Sequence, residues 1–206
     1  MTVIVDYDAG NLRSVQRACS EIGVDAEITA DPTRIRNAER IIFPGVGHAS
    51  TAMRSIRARG IDQALLEAFE TGSPILGICI GLQISLDRSD EGDVETLGLI
   101  PGRVRRFEMR NADLKVPHMG WNDVQVAKPH PILSHVRPGD EFYFVHAYYP
   151  DPVDQGCVYA KADYESTFCC ALGSRNFFGT QFHPEKSGRV GLELIRNFTT
   201  WNGTIA

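Results

Sequence analysis

A thiol becomes a strong nucleophile once it is ionised, and one of the five cysteines sits where such a nucleophile is made. The segment Gly77-Ile78-Cys79-Ile80-Gly81 has the form G-x-C-x-G and follows the apolar run Pro74–Ile78. This is the thiol version of a nucleophile elbow, a strained strand-to-helix turn. Glycines two residues either side of Cys79 let strand and helix approach without a Cβ clash. The following helix is expected to point its N-terminus at the sulfur and favour thiolate. The Ile80 N–H is placed to donate to an oxyanion.

A thiol nucleophile needs a base within reach and a group that orients the base. Of six histidines, His183 stands apart through its setting, Gly179-Thr180-Gln181-Phe182-His183-Pro184-Glu185. Pro184 biases His183 to extended backbone, and in extended chain residues two apart share a face. Glu185 can then accept from one ring nitrogen while the other faces the sulfur, which fixes the tautomer. His48 reads as a helix-start residue, and His118 and His146 as satisfied core histidines. His130 and His135 read as solvated. Cys19, Cys157, Cys169 and Cys170 sit on apolar faces or in strand-like runs and read as packing residues. No C-x-x-C pair is present, so neither a zinc site nor a disulfide framework is expected.

The elements that would position these groups alternate in the first half. Thr2–Tyr7, Ala26–Thr29, Arg40–Phe43 and Pro74–Ile78 read as strands. A helix carrying Leu12, Val15, Cys19 and Ile22 follows the first and stops at Gly23. Asp31-Pro32 and Pro44-Gly45 read as turns. Helical pattern runs from Ala49 to Thr71 with a break at Gly60. This β-α-β-α order predicts a mostly parallel sheet with flanking helices. The second half predicts an antiparallel addition, with strands at Val104–Glu108, Trp121–Val126, Glu141–Val145, Cys157–Tyr164 and Phe168–Gly173. A final helix spans Gly188 to Trp201. One α/β domain over residues 1–206 is expected.

Composition narrows the function. The chain has 206 residues, 43% hydrophobic and 23% charged, with net charge −5. It gives no electrostatic case for nucleic acid or an anionic membrane as partner. The basic stretch Arg103 to Arg106 reads as a solvated strand face answered by Glu108 and Asp113. The opening MTVIVDYDAGN carries no basic leader or long apolar region. With an odd number of cysteines, it points to a reducing compartment, the cytoplasm.

GICIGLQ (Gly77–Gln83) together with TQFHPEKSG (Thr180–Gly188) resembles the triad-type, class I glutamine amidotransferases. Within that class, DYDAGNLRSV (Asp6–Val15), PGVG (Pro44–Gly47), PHMGWN (Pro117–Asn122) and YFVHAYY (Tyr143–Tyr149) resemble the glutaminase subunits of imidazole glycerol phosphate synthases. The resemblance implies that Cys79 is acylated by L-glutamine, His183 protonates the departing ammonia and Glu185 orients His183, with no cofactor and no metal. It implies that Gln83 and Gly47, with Tyr143, His146, Ala147 and Tyr148, hold glutamine. It makes the Gly45-Val46-Gly47 segment a second oxyanion donor and gate. Asn11 and Lys186 match positions near the contact with a separate (β/α)8-barrel cyclase, which would take the ammonia in histidine biosynthesis. Ala147 stands where relatives usually carry Ser or Thr, Ile80 and Leu82 replace Leu and Met, and Asp8 stands where Gly is common. The same residues would serve a paralogue feeding an amidino-sugar pathway, a stand-alone cysteine hydrolase, or a regulatory module that kept the fold.

Overall fold

Strands buried on both faces read as continuous apolar runs, and TVIV and ILGIC do: every residue of both is buried. The computed structural model describes residues 1–109 and 114–204. The chain begins with β1 (Thr2–Val5), α1 (Leu12–Glu21), β2 (Ala26–Thr29), α2 (Pro32–Arg36), β3 (Arg40–Gly45) and α3 (Ala49–Ala58). Next come α4 (Ile61–Thr71), β4 (Ile75–Cys79) and the single turn α5 (Ile80–Gln83). Then follow β5 (Arg88–Ser89), β6 (Val94–Glu95), β7 (Gly102–Arg106), β8 (His118–Asp123), β9 (Gln125–Val126) and β10 (Glu141–His146). The chain closes with β11 (Tyr148–Pro152), β12 (Val158–Tyr164), β13 (Ser166–Ser174), β14 (Phe177–Thr180) and α6 (Gly188–Thr200).

The main sheet has the order β2-β1-β3-β4-β14-β13-β12-β9. Its first five strands pair in parallel and the last three are antiparallel additions. Residue alternation sends Val3, Ile41 and Ile75 to one core with α3 and α4, and Ile4, Ile42 and Leu76 to another with α1 and α6. The expected α/β class, parallel sheet, flanking helices and antiparallel addition are all present. Gly60 breaks the long helix as expected, with a left-handed φ of 67°.

Several expectations change. Pro44-Gly45 is not a turn but the end of β3, where Pro44 pairs Ile78 and Gly45 pairs Cys79. Ile41 donates its N–H toward β4, to Pro74 O, so alternation turns the Pro44 nitrogen to the β1 side, where pairing has already ended at Ile42. A missing N–H costs no ladder bond there. Asp31-Pro32 starts α2, with the Asp31 carboxylate accepting from Thr33 N–H at 2.8 Å. β14, which no sequence signal marked, lies beside β4 and delivers the chain to His183. Arg103 and Arg105 are on a solvated strand face as expected, but their counter-charges are Asp90 and Asp151; Asp113 lies outside the described residues. His130 is buried and stacked on Phe178, because its Nδ1 caps the Pro131–Leu133 turn and its ring fills space beside Trp201.

Candidate active site

Cys79 ends β4 with φ 55° and ψ −104°, a left-handed conformation that side-chain-bearing residues rarely adopt. The flanking glycines make the turn possible. A Cβ on Gly81 would lie 1.8 Å from Phe43 O, and one on Gly77 would lie 2.7 Å from the Phe177 ring. The helix after the elbow is one turn long, so its dipole at the sulfur is small.

His183 has the extended backbone that Pro184 predicts, φ −100° and ψ 94°. Glu185 is reached differently from the expectation: residues Pro184–Lys186 form a 3-10 turn. The turn still brings Glu185 Oε1 to accept from His183 Nδ1 at 2.8 Å, with both side chains fully buried. A second donor, Asn11 Nδ2, reaches the same oxygen at 3.0 Å. His183 is pinned from behind as well: its N–H donates to Tyr143 O, and Ser187 Oγ donates to its carbonyl.

Burial alone would push the His183 proton equilibrium down, but the Cys79 sulfur and the Glu185 carboxylate outweigh it and raise it to about 10. Burial alone would push Glu185 up; the His183 ring and the Asn11 amide hold it below the ordinary carboxylate range. His183 Nε2 is buried with no hydrogen-bond partner. Cys79 raises His183 both by charge and as a hydrogen-bond partner, yet no well-aligned bond occupies Nε2 here, and the nitrogen is available to an incoming or leaving group. Burial raises the other thiols, Cys19 and Cys157 to about 11, and Cys169 and Cys170 higher still.

A cavity of about 160 Å³ opens onto Cys79, lined by Val46, Gly47, Ile80, Gln83, Glu91 and the Val145–Tyr148 segment. Seven of the residues expected around glutamine are therefore gathered here: Val46, Gly47, Ile80, Gln83, His146, Ala147 and Tyr148. The Gln83 Oε1 is buried and without a hydrogen-bond partner. The Ala147 carbonyl already accepts from Phe107 N–H at 3.1 Å. Two expected residues do not line the cavity. Gly45 pairs with Cys79 across the sheet, and Tyr143 holds the His183 segment through its backbone. Lys186 is exposed, its ammonium 5.8 Å from the Tyr143 ring centre. Asn11, expected at a partner contact, is 4% exposed and bonded to Glu185.

Three residues escaped the sequence. Glu91 brings a carboxylate to the cavity, Oε2 accepting from Ala49 N–H at 2.7 Å, but it lies in a loop without a motif. Tyr7 buries its hydroxyl against Gly45 without a partner. Gln181 donates to the Cys79 sulfur at 3.6 Å; it sits inside the His183 motif, and only the unrecognised β14 register would have revealed it. Among the described residues no His, Cys, Asp or Glu cluster could hold a metal ion, and no helix is long and apolar enough to cross a membrane.

Residues 3–201 match the family described as Glutamine amidotransferase class-I. The chain also superposes on a solved glutamine amidotransferase with TM-score 0.74 over 95% of this chain and 96% of that one, at 21% identity. The glutaminase domain of a Trypanosoma brucei CTPS with bound acivicin superposes with TM-score 0.67 at 17% identity, covering 100% and 97%. The fold and the elbow-centred site thus define a class I glutamine amidotransferase. "Imidazole glycerol phosphate synthase subunit HisH" of Desulfovibrio desulfuricans is 47% identical over 96% of this chain and 93% of its own length. Its counterpart in Thiobacillus denitrificans is 44% identical, over 97% and 90%. The chain belongs to this family of imidazole glycerol phosphate synthase subunits, and it is an enzyme.

Proposed function

We propose that the chain hydrolyses L-glutamine through a thioester at Cys79 and hands the ammonia to a separate (β/α)8-barrel cyclase subunit. The observation that carries this reading is the buried Cys79–His183–Glu185 array beside a cavity sized for one small amino acid. The Cys79 sulfur attacks the carboxamide carbon, and the oxyanion meets the Ile80 N–H and an N–H of the Gly45-Val46-Gly47 segment. His183, held as a cation by Glu185, gives its proton to the departing nitrogen. Ammonia leaves and a glutamyl thioester remains. Neutral His183 then takes a proton from water, the hydroxide attacks the thioester, and glutamate departs. Gln83 Oε1 and the Glu91 carboxylate receive the substrate's amino group.

The ammonia is consumed in histidine biosynthesis, in the cytoplasm, where the cyclase forms imidazole glycerol phosphate and an aminoimidazole carboxamide ribotide. Family membership favours this over the sugar-amidation alternative. Exposed Met119 and Trp121 on β8, beside Tyr143 and Lys186, offer that partner an apolar edge. Asn11 acts on Glu185 from within. Co-purification with the cyclase barrel, followed by glutamine-dependent cyclisation, tests the proposal. Failure of the pair to cyclise with glutamine while it cyclises with ammonium salts would contradict it.

A further inference from the structure

A carbonyl oxygen only accepts hydrogen bonds, and one carbonyl fixes every donor direction in a buried network that ends on the reactive sulfur. Tyr148 O receives two side chains, Gln83 Nε2 at 2.9 Å and His146 Nδ1 at 2.8 Å. The atom of Gln83 that faces it must therefore be the NH2 group. The same group lies 3.1 Å from Gln181, so the Gln181 atom there must be its carbonyl oxygen. The Gln181 NH2 is then left at the other end, 3.6 Å from Cys79 Sγ. A flip of Gln83 would set its oxygen against the Tyr148 and Gln181 oxygens, and a flip of Gln181 would set its NH2 against that of Gln83.

The second branch is fixed by the same logic. His146 Nδ1 carries its hydrogen toward Tyr148 O, so its Nε2 is an acceptor and takes the Nδ1–H of His118 at 3.0 Å. His118 Nε2 is left to accept from Asn122 Nδ2 at 3.3 Å. Both rings must be neutral for this, as deep burial among aromatic side chains requires. The arrangement gives the Pro117–Asn122 motif a physical task that the catalytic array leaves unexplained. Gln181 itself is fully buried and stands beside the sulfur because Thr180 pairs with Ile78, one residue before Cys79.

We infer that Gln181 is a catalytic residue, a fixed hydrogen-bond donor to the Cys79 thiolate, and that His118 is a positioning residue acting through His146, Tyr148 and Gln83. The inference rests on the reading of Cys79 as nucleophile. A donor to the charged sulfur favours thiolate over thiol, because hydrogen bonds to ionised groups are the strong class. It also gives the sulfur a donor other than His183 Nε2, which has no well-aligned partner of its own.

The test is alkylation of Cys79 by iodoacetamide in the full chain, followed by peptide mapping between pH 6 and pH 10. Gln181→Met keeps length and loses the donor, and should slow Cys79 alkylation at pH 7 by about tenfold. The difference should narrow toward the alkaline end. His118→Phe should move the profile the same way by a smaller factor, about two- to threefold. Matching profiles for Gln181→Met and the unsubstituted chain would overturn the inference. If Gln181→Met fails to fold, the Gln181 side-chain NH2 resonance of the intact protein decides instead. It should move with Cys79 ionisation and stay still in Cys79→Ala; a resonance that ignores pH in both would overturn the inference. The reading beneath it fails separately, through glutamate release by Cys79→Ala.

Discussion

Asn11 and Glu185 meet through a 3.0 Å hydrogen bond across 174 positions of chain, and the carboxylate oxygen that accepts it is the one that orients His183. The opening loop is thereby tied to the His183–Glu185 pair. Asn11→Ala removes a donor to a buried charge, a loss worth about 1.5–3 kcal/mol. Glutaminase kcat of the complex should fall by about ten- to hundredfold. KM should hold, since Asn11 does not line the cavity. Steady-state kinetics with glutamine checks it, and a change confined to KM would move Asn11 into the substrate site.

Glu185→Gln keeps shape and loses charge. His183 is raised to about 10 by the Cys79 sulfur and Glu185 against the pull of burial. Its cation, the form that protonates the leaving nitrogen, persists below that value and is lost as pH rises through it. The pH–rate profile of wild-type enzyme should hold on its alkaline side until near pH 10. Glu185→Gln should bring that fall to lower pH and reduce kcat by about 10²–10⁴. An unchanged alkaline limb would make Glu185 structural.

Glu91→Gln tests the residue that motif reading did not find. A carboxylate in the cavity wall is matched to the ammonium of an amino-acid substrate. Exchange for an amide should raise KM for glutamine by about tenfold or more, because charge-assisted hydrogen bonds are the stronger class. The rate of Cys79 alkylation by iodoacetamide, which has no ammonium, should stay the same. A raised KM accompanied by slower alkylation would assign Glu91 to holding α3 through Ala49 instead.

Three buried histidines give the fold an acid limit. Burial lowers His118 and His130 to about 4 and His146 to about 3. Their folded values lie below the unfolded value near 6.5, so the neutral rings' contribution is complete above that pH and is lost as pH falls toward 4. Each tenfold displacement of a proton equilibrium is worth about 1.4 kcal/mol. Thermal melts should show Tm falling steeply between pH 6.5 and pH 4, and His130→Phe should soften the fall. A flat Tm across that window would contradict the assignment of these rings as neutral and buried.

Local patterns made much of this legible. The elbow announces itself through its paired glycines, although the contacts that demand them come from Phe177 and Phe43 on other strands; Ala26–Thr29 and the Gly60 break follow from short-range chemistry. What stayed hidden depends on chain-distant register. FFGT at Phe177–Thr180 is too short and featureless to mark a central strand, yet its pairing with β4 sets Gln181 and His183 beside Cys79. Pro44 looks like a turn residue until the early end of β1 pairing is known. His130 looks solvated among prolines, and is buried because Phe178 and Trp201 come from elsewhere. The HPE tripeptide does join His183 to Glu185 by a hydrogen bond, but through a 3-10 turn instead of an extended face.

The thiol pattern offers a check on reactivity. Burial raises Cys19, Cys157, Cys169 and Cys170, which leaves them inert at neutral pH. Brief iodoacetamide treatment at pH 7 should label the peptide containing Cys79 first and abolish glutamine-dependent turnover in step with that label. Labelling of any other cysteine ahead of it, with turnover lost in proportion, would move the nucleophile.

The central claim is that Cys79 carries the substrate's acyl group, and the most direct measurement is glutamine turnover by Cys79→Ala in complex with the cyclase. The account predicts no glutamate release and no glutamine-dependent cyclisation, with full cyclisation when ammonium salts replace glutamine. Glutamate release by Cys79→Ala at the wild-type rate would contradict it.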